Sequence, residues 1–188
     1  MQLGQHDIPA VILAGGQGRR IGGDKACVLL GGKPLWRHVL DRVEPQVARV
    51  AVNASVPFGG RPFVADDVPG MGPLGGILAA MIWAKGQGAD RVLTVAVDTP
   101  FLPSDLAERM CAATGRIVVA KTTDGLHGTT AVWDVGLADD LRWALDAGTR
   151  KVTDWANGVG IAPVVFQDAS AFFNVNTPED LAAAEARL

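Results

Sequence analysis

A short apolar run that ends in a glycine-rich turn is the feature that most limits how this chain folds. Residues 8–12 are apolar, and they lead directly into residues 13–25, which read LAGGQGRRIGGDK. Glycine tolerates positive φ angles and lets backbone N–H groups approach an anion closely. Arg19, Arg20 and Lys25 add positive charge to the same stretch, which favours a polyphosphate ligand. We therefore expect a buried strand followed by a phosphate-binding turn and a helix.

Two familiar phosphate-binding turns do not fit this spacing. A P-loop requires Gly-Lys-Ser/Thr after its four variable residues, but Gly23 is followed by Asp24, Lys25 comes one place late, and Ala26 follows that lysine where the hydroxyl residue should be. A dinucleotide fingerprint requires a third glycine where this chain has Ile21, and it requires an acidic residue about 20 residues further on, after a second strand. The turn is therefore a nucleotide-binding turn of a third kind.

Composition indicates one ordinary globular domain that spans residues 1–188. Apolar residues make up 48% of the chain and charged residues 20%, and this length is enough to bury a core. The net charge of −3 argues against a non-specific nucleic-acid binder. Residues 1–65 hold eight Lys/Arg against four Asp/Glu, so positive charge collects around the phosphate-binding turn.

The chain lacks the sequence signs of a zinc site, a leader or a membrane span. Cys27 and Cys111 have neither CxxC spacing nor a nearby His pair, so we expect two buried thiols in a reducing compartment. Pro9 and Gly15 interrupt the only candidate leader, and no run approaches the roughly 20 apolar residues that span a membrane. We expect a soluble, cytoplasmic protein that acts as a monomer, away from membranes and nucleic acids.

Strand-like and helix-like segments alternate along the chain. This order predicts an α/β fold, a three-layer α/β/α sandwich with a Rossmann-like, mostly parallel sheet. Predicted strands cover residues 8–14, 49–54, 63–66, 91–97, 116–120, 130–133 and 161–166. Predicted helices cover residues 34–43, 74–85, 103–113, 137–147, 152–157 and 181–188, and residues 122–128 form a polar loop. Thr177 and Pro178 fit the N-cap and first position of the last helix.

Asp98 is the strongest candidate for a metal ligand. It follows the apolar run VLTVAV, and a carboxylate at the end of a central strand is costly to bury without a partner. Mg²⁺ takes hard carboxylate oxygens, and nucleotidyl transfer uses such a cation to neutralise phosphate charge. An Asp that caps the following turn is an equally good explanation from the residues alone.

Other polar residues lie where ligands bind in a doubly wound sheet. Asn53 and Asp66 follow predicted strands, where a carboxylate can accept hydrogen bonds from the N1–H and amino group of guanine. Turn formation explains both residues equally well, and Asp67 competes with Asp66 for the same role. Lys25 fits phosphate binding or an ordinary solvated lysine.

A second glycine-rich turn, residues 68–76, precedes the predicted helix 74–85. Its glycines allow a helix N-terminus to approach a ligand. Tight packing of the turn against the first glycine-rich turn is an equally physical explanation.

The sequence resembles a known enzyme superfamily. Residues 13–25 are similar to LAGG-x-G-x-R-(M/L)-G-x-x-K, the signature of the nucleotidyltransferases typified by sugar-phosphate nucleotidyltransferases. The GG-x-DK ending is most similar to molybdenum cofactor guanylyltransferases, as are GPLGG at 72–76, DTPFLP at 98–103 and NVNTPEDL at 174–181. The chain departs from that pattern in two places. The turn is one residue shorter before Asp24, and Gly128 replaces a proline after His127.

The resemblance implies roles for particular residues and a nucleotide-diphospho-sugar transferase type of fold. It implies GTP binding by Leu13, Ala14, Gly15, Gly16, Lys25, Asn53, Asp66 and Asp98. It implies catalytic roles for Arg19, Lys25 and Asp98, with Mg²⁺ on Asp98, and Arg19 matches the family position better than Arg20. It also implies acceptor binding by His127, Asn174 and Asn176. Either asparagine could complete the site. Alternatively, residues 174–181 serve only to cap the last helix through Thr177.

The implied reaction is transfer of GMP from Mg-GTP to the phosphate of molybdopterin or the molybdenum cofactor, with release of pyrophosphate. No protein nucleophile is required because the acceptor phosphate is already anionic. Expected partners include cofactor-synthesis proteins and target molybdoenzymes. Two alternatives remain: cytidylyl transfer to molybdopterin or another phosphorylated acceptor, and a non-catalytic protein that binds nucleotide and delivers cofactor.

Overall fold

The computed structural model of the protein describes residues 8–15, 25–55, 60–66 and 70–188. Within these ranges, seven strands form one sheet and two short strands form a separate hairpin. The strands are β1 Pro9–Leu13, β2 Leu29–Leu30, β3 Lys33–Pro34, β4 Arg49–Asn53, β5 Phe63–Val64, β6 Arg91–Ala96, β7 Ile117–Thr122, β8 Gly125–Asp134 and β9 Ile161–Val165.

The strand order of the main sheet is β5-β4-β1-β6-β8-β7-β9. Strand β8 runs antiparallel to its neighbours β6 and β7, and the other pairings are parallel. The carboxyl ends of six strands and the amino end of β8 therefore share one side of the sheet, which we call the site edge. The sheet is mostly parallel, as predicted.

Helices cover both faces of this sheet. They are α1 Leu35–Val43, α2 Pro73–Gly86, α3 Leu106–Ala112, α4 Ala138–Asp146, α5 Val152–Val159 and α6 Pro178–Glu185. Helices α1 and α3 contribute to one buried apolar cluster, whereas α2, α4 and α5 contribute to another. The predicted three-layer α/β/α sandwich is confirmed, and a third, smaller cluster joins α6 to the hairpin of β2 and β3.

The alternation of side chains along β1 explains why this strand is central. Ala10 and Ile12 belong to the cluster on one face, Val11 belongs to the cluster on the other, and all three are fully buried. A strand that is covered on both faces needs a continuous apolar run rather than an alternating one. The run before the glycine-rich turn satisfies that requirement, and it fixes the start of the turn, Leu13 to Gly15, at the site edge.

The prediction of a polar loop at residues 122–128 is wrong. Strand β7 extends to Thr122, and β8 already begins at Gly125. A tight turn joins them, and Gly125 has a φ of +119°, which a glycine adopts without strain. These residues form the end of a β-hairpin, so His127 lies in a strand and pairs with Ala120.

Two further expectations near the amino end need correction. Pro34 was expected inside the first helix, but it ends β3 and serves as the N-cap of α1. Gly31 and Gly32, with φ angles of +56° and +78°, form the two-residue turn of the β2–β3 hairpin. Cys27, expected to be buried, is exposed, and Cys111 is half-buried.

None of the helices in the described ranges is both long enough and apolar enough to cross a membrane.

Candidate functional site

The register of the central strands places several predicted site residues in one row. Leu13 of β1 pairs with Asn53 of β4 and with Ala96 of β6, and Asn53 pairs with Val64 of β5. The backbone N–H of Ala14 donates to the carbonyl oxygen of Asn53 at 2.7 Å. The backbone N–H of Val97 donates to the carbonyl oxygen of Leu13 at 3.1 Å. The row lies at the site edge, so the start of the glycine-rich turn lies between the ends of β4 and β6.

Asn53 and Asp66 form a hydrogen-bonded pair at one end of this row. Asn53 is 2% exposed, and its Nδ2 donates to the Asp66 carboxylate at 2.6 Å and to the Val64 carbonyl at 3.0 Å. Asp66 is half-buried. The buried amide therefore holds a partly exposed carboxylate in a defined position, which we call the Asn53–Asp66 pair.

The glycines at the start of α2 pack directly against this pair. A methyl group at Gly76 would lie closer than 3.0 Å to Asn53 Oδ1 and 3.1 Å from Leu13 Cδ2. A methyl group at Gly75 would lie 3.4 Å from Asp66 Oδ2. The N-cap, Gly72, has a φ of +63°, which favours glycine. Close packing is therefore a sufficient reason for glycine at Gly76.

Lys25 joins the end of β6 to the segment before α6. It lies in a short 3₁₀ turn, Lys25–Cys27, and its ammonium group donates to Asp98 Oδ2 at 2.6 Å and also to Asn176 Oδ1. The Lys25 and Asp98 side chains are 14% and 17% exposed. Both charged groups are thus mostly shielded from solvent. We call this contact the Lys25–Asp98 ion pair.

The second oxygen of Asp98 fits a cation. Asp98 Oδ1 is buried and has no hydrogen-bond partner among the residues that the structure describes. An unpartnered buried carboxylate oxygen is costly, and a hydrated Mg²⁺ bound through one protein carboxylate would satisfy it. Elsewhere in the described ranges, no three His, Cys, Asp or Glu side chains cluster as a metal site.

The segment before α6 is held by a capping box. Asp180 Oδ2 accepts from the backbone N–H groups of Asn176 and Thr177, each at 2.9 Å, while the N–H of Asp180 donates to Thr177 Oγ1 at 3.1 Å. These hydrogen bonds, led by that from the Asn176 N–H, lower the pKa of the Asp180 carboxyl group, and the charge of Lys25 acts in the same direction. The prediction of Thr177 as the N-cap is confirmed.

The capping box explains how Asn176 reaches Lys25. The N–H of Val175 donates to the Asp98 carbonyl at 2.9 Å, so the segment also attaches to the turn after β6. Asn174 and Asn176 are both exposed, and Asn176 contacts Lys25. Sequence reasoning missed the role of Asp180, although Thr-x-x-Asp before an apolar stretch is a recognisable capping pattern.

His127 occupies a separate position at the start of β8. Its Nε2 forms a hydrogen bond with Thr122 Oγ1 at 2.8 Å, and its ring stacks on Phe172 with centroids 4.6 Å apart. Burial lowers the pKa of the imidazole, and the charge of Asp124 partly opposes that shift. Thr122 and Phe172 were not identified from the sequence. A methyl group at the adjacent Gly128 would lie 3.3 Å from Val152 Cγ1.

Some of the predicted residues lie outside the described ranges. Gly16 and Arg19 are among them, as are Arg20, Asp24 and Asp67. Their roles stay predictions, and so does the effect of the shortened spacing before Asp24. The other predicted site residues lie within the described ranges: Leu13, Ala14, Gly15, Lys25, Asn53, Asp66, Asp98, His127, Asn174 and Asn176.

Comparison with known proteins identifies the family. Residues 10–159 match the family model described as the MobA-like NTP transferase domain. A molybdenum cofactor guanylyltransferase of Cereibacter sphaeroides is 45% identical over 185 residues, which cover 95% of each chain. One from Rhizobium leguminosarum is 41% identical over 196 residues, covering 97% of this chain and 94% of the relative.

A solved structure supports the same assignment. The crystal structure of molybdopterin-guanine dinucleotide biosynthesis protein A from Archaeoglobus fulgidus superimposes with a TM-score of 0.80 at 26% identity, covering 96% of this chain and 98% of that one. The matching family model spans most of the chain, and the curated relatives match along nearly all of it. The chain therefore belongs to the MobA-like NTP transferase family.

Proposed function

We propose that this chain transfers GMP from Mg-GTP to the phosphate of molybdopterin or of the molybdenum cofactor, giving the guanine dinucleotide cofactor and pyrophosphate. The observation that carries the proposal is the placement of two groups on either side of β1. The Asn53–Asp66 pair suits a guanine base, and the Lys25–Asp98 ion pair suits the charge of a metal triphosphate. The relatives at 41–45% identity named molybdenum cofactor guanylyltransferase agree with this assignment.

On the donor side, Asp66 accepts hydrogen bonds from the N1–H and the amino group of guanine. A carboxylate offers two acceptor oxygens in one plane, which matches this edge of guanine and no corresponding edge of cytosine. The backbone of Leu13, Ala14 and Gly15 lies between the Asn53–Asp66 pair and the Lys25–Asp98 ion pair. We infer that it binds the nucleotide there together with Gly16.

Asp98 would hold Mg²⁺ through the oxygen that has no partner among the described residues. When bound, the cation would supply positive charge that neutralises the negative charge developing as the pyrophosphate leaves.

Lys25 exchanges its partners when the triphosphate enters. In the structure its ammonium group contacts Asp98 and Asn176, and phosphate oxygens are stronger acceptors with more negative charge. Lys25 and Arg19 then stabilise the transition state by charge. The acceptor phosphate attacks the α-phosphorus of GTP, the bond from that phosphorus to the bridging oxygen breaks, and its electron pair leaves with pyrophosphate.

On the acceptor side, His127 and Asn176 are the proposed contacts, with Asn174 as the alternative to Asn176. Because burial lowers the pKa of His127, its ring is neutral near pH 7 and acts by hydrogen bonding rather than by charge. The product would pass to target molybdoenzymes, with other cofactor-synthesis proteins as the source of the acceptor. We expect the reaction to take place in the cytoplasm. We also expect the protein to be a monomer, and sedimentation of the purified protein tests its oligomeric state.

The test is pyrophosphate release by the purified protein with molybdopterin and each of the four nucleoside triphosphates. We expect turnover with GTP, and a strong preference for CTP would overturn the guanylyl assignment in favour of cytidylyl transfer. Asp98→Asn keeps the side-chain shape but removes the charge, so we expect it to lower turnover by at least about 100-fold. If that variant still matures a molybdoenzyme normally, the chain is a delivery protein rather than a transferase.

A further inference from the structure

We propose that Thr122 is a positioning residue that fixes the tautomer of His127, so that the ring presents its Nδ1–H as a neutral donor to an anionic oxygen of the phosphorylated acceptor. The inference rests on the proposed function, and it states which atom of His127 binds and which neighbour selects that atom. His127 contacts the acceptor, and Thr122 acts only through His127.

The hydroxyl group of Thr122 takes part in two hydrogen bonds. Its Oγ1 accepts the backbone N–H of Asp124 at 3.2 Å and lies 2.8 Å from His127 Nε2. The residue is buried, with 3% of its surface exposed. A hydroxyl group has two lone pairs and a single hydrogen, and the N–H of Asp124 occupies one lone pair. The hydrogen between Oγ1 and Nε2 belongs either to the threonine or to the histidine.

Burial of the hydroxyl group decides between these two arrangements. If the hydrogen belonged to Nε2, both lone pairs of Oγ1 would be occupied, and the hydroxyl hydrogen would have no acceptor among the described residues. A buried donor without a partner is costly. If the hydroxyl group donates to Nε2, it is fully satisfied. Nε2 is therefore the acceptor, and in a neutral imidazole the ring hydrogen then lies on Nδ1.

A charged ring meets the same obstacle. Both nitrogens of a protonated imidazole are donors, so protonation of His127 would also leave the Thr122 hydroxyl hydrogen without an acceptor in the described ranges. This agrees with the lowered pKa of His127, for which burial is the main cause and which the charge of Asp124 partly opposes. The ring is thus held in a single protonation state, the neutral Nδ1–H tautomer.

Stacking holds the plane of the same ring. His127 stacks on Phe172 with centroids 4.6 Å apart and an angle of 24° between the ring planes. Phe172 is fully enclosed by the core and packs against Phe166 with centroids 5.0 Å apart. The hydrogen bond to Thr122 fixes the rotation of the imidazole within that plane, because turning the ring over would place a carbon against the hydroxyl group. Both the plane and the rotation of the ring are set without a ligand.

The Nδ1–H group is the part of the ring that a ligand can use. Nδ1 has no hydrogen-bond partner among the described residues, and it is not one of the buried polar atoms that lack a partner, so it is open to a ligand. Phe172 and Asn176 belong to the same short segment, and Asn176 contacts Lys25. An N–H group attracts a phosphate oxygen, whereas the lone pair of the other tautomer would repel it. The tautomer therefore decides whether His127 binds the acceptor.

Nitrogen-15 NMR of the purified protein tests the tautomer, because a protonated ring nitrogen and one with a lone pair resonate in separate regions. In wild type, above the pKa of the ring, we expect Nδ1 to be protonated and Nε2 to be unprotonated, and loss of signals in His127→Gln identifies the ring. Thr122→Ser keeps the hydroxyl group and should keep this pattern. Thr122→Val has the same shape without the hydroxyl group, so its Nδ1–H fraction should fall to about half or less.

Steady-state kinetics with GTP and molybdopterin test the consequence for the acceptor. Thr122→Val is expected to raise the KM for molybdopterin by about tenfold, the factor that a hydrogen bond to a charged group contributes, and to leave the KM for GTP unchanged. Thr122→Ser should restore the wild-type KM. The matched control is Thr123→Val, the same change at the exposed neighbouring position. It should change neither the tautomer nor either KM.

The outcomes separate this inference from the proposed function. If wild type transfers no GMP to molybdopterin, the proposed function is wrong, and the nitrogen-15 spectra still decide the tautomer. If wild type carries Nε2–H, or if folded Thr122→Val keeps Nδ1–H, the role of Thr122 is wrong. If Thr122→Val changes the tautomer but not the KM for molybdopterin, Nδ1–H does not bind the acceptor.

Should Thr122→Val not fold, wild type and Thr122→Ser decide the tautomer. Adding molybdopterin to wild type then tests the contact, because a bound phosphate oxygen should shift the signal of the His127 Nδ1–H proton. An unchanged signal at saturating molybdopterin would overturn the proposal.

Discussion

At the scale of single residues, Lys25 supplies a positive charge where a metal ion is expected. Its ammonium group lies 2.6 Å from Asp98 Oδ2 while Oδ1 is buried without a partner in the described ranges. The lysine thus offsets the charge of a mostly buried carboxylate when no nucleotide is bound. It follows that Lys25 and a divalent cation compete in part for the same carboxylate.

We expect Lys25→Met to bind Mn²⁺ roughly tenfold more tightly than wild type in the absence of nucleotide, because removing the ammonium group leaves Asp98 without its positive neighbour. The same variant should transfer GMP more slowly. Titration followed by electron paramagnetic resonance measures the free Mn²⁺. Lys33→Met is the control, since Lys33 pairs with the surface residue Asp41. An unchanged Mn²⁺ affinity in Lys25→Met would show that the ion pair does not oppose the metal.

His127 should make the stability of the protein depend on pH. Burial lowers the pKa of its imidazole in the folded state below the unfolded value of about 6.5. The unfolded chain therefore binds the proton more readily between these two values. The resulting stability is fully present above the unfolded pKa and is lost as the pH falls through the folded pKa.

His127→Phe removes this titration and keeps a ring to stack on Phe172. We expect the free energy of unfolding of wild type to fall relative to that of His127→Phe as the pH is lowered from 7.5 to about 5. Urea denaturation at several pH values measures both. A constant difference between the two proteins would mean that His127 does not titrate differently on folding.

At the scale of elements, the capping box of α6 links stability to the site. Thr177→Ala removes the side chain that accepts the N–H of Asp180, and the loss of such a cap costs about 1 kcal/mol. Thr177→Ser, which keeps the hydroxyl, should cost much less. Chemical denaturation measures the free energy of unfolding. We also expect Thr177→Ala to reduce turnover, because the same segment positions Asn176. Equal turnover in Thr177→Ala and Thr177→Ser would show that the cap does not affect catalysis.

Long apolar runs made most elements predictable, whereas short elements were missed. β1, β6 and α2 follow from runs that are buried over most of their length. The β2–β3 hairpin has only two residues in each strand, too few for a periodic pattern to emerge. The start of β8 looked like a loop because residues 122–129 are mostly glycine and polar residues, and strand pairing rather than an apolar pattern defines it.

The candidate site was predictable where it depends on strand ends. Asn53, Asp66 and Asp98 were found because ligands bind beyond the carboxyl ends of parallel strands, and the structure brings all three to that edge. The contacts of His127 with Phe172 and of Lys25 with Asn176 join segments that are distant in sequence. A single sequence holds no direct record of such contacts, so these partners emerged only from the fold.

At the scale of the whole molecule, the continuous seven-stranded sheet argues for one cooperative unit. Trp133 of β8 and Trp155 of α5 stack with centroids 5.8 Å apart, and both are buried. We therefore expect tryptophan fluorescence and far-ultraviolet circular dichroism to report the same single unfolding transition in urea. Two separate midpoints would contradict the single-domain prediction for residues 1–188.

The ion pair and hydrogen bond of Lys25 also bear on when the site becomes complete during synthesis. Lys25 is 73 positions from Asp98 and 151 positions from Asn176, whereas Asn53 is only 13 positions from Asp66. At a synthesis rate of about 5–20 residues per second, Asn176 follows Lys25 by roughly 8–30 s. A growing chain therefore contains all of its guanine-binding residues well before it contains those that position Lys25. The residues proposed for base recognition and those that complete the catalytic site are therefore synthesised at different times.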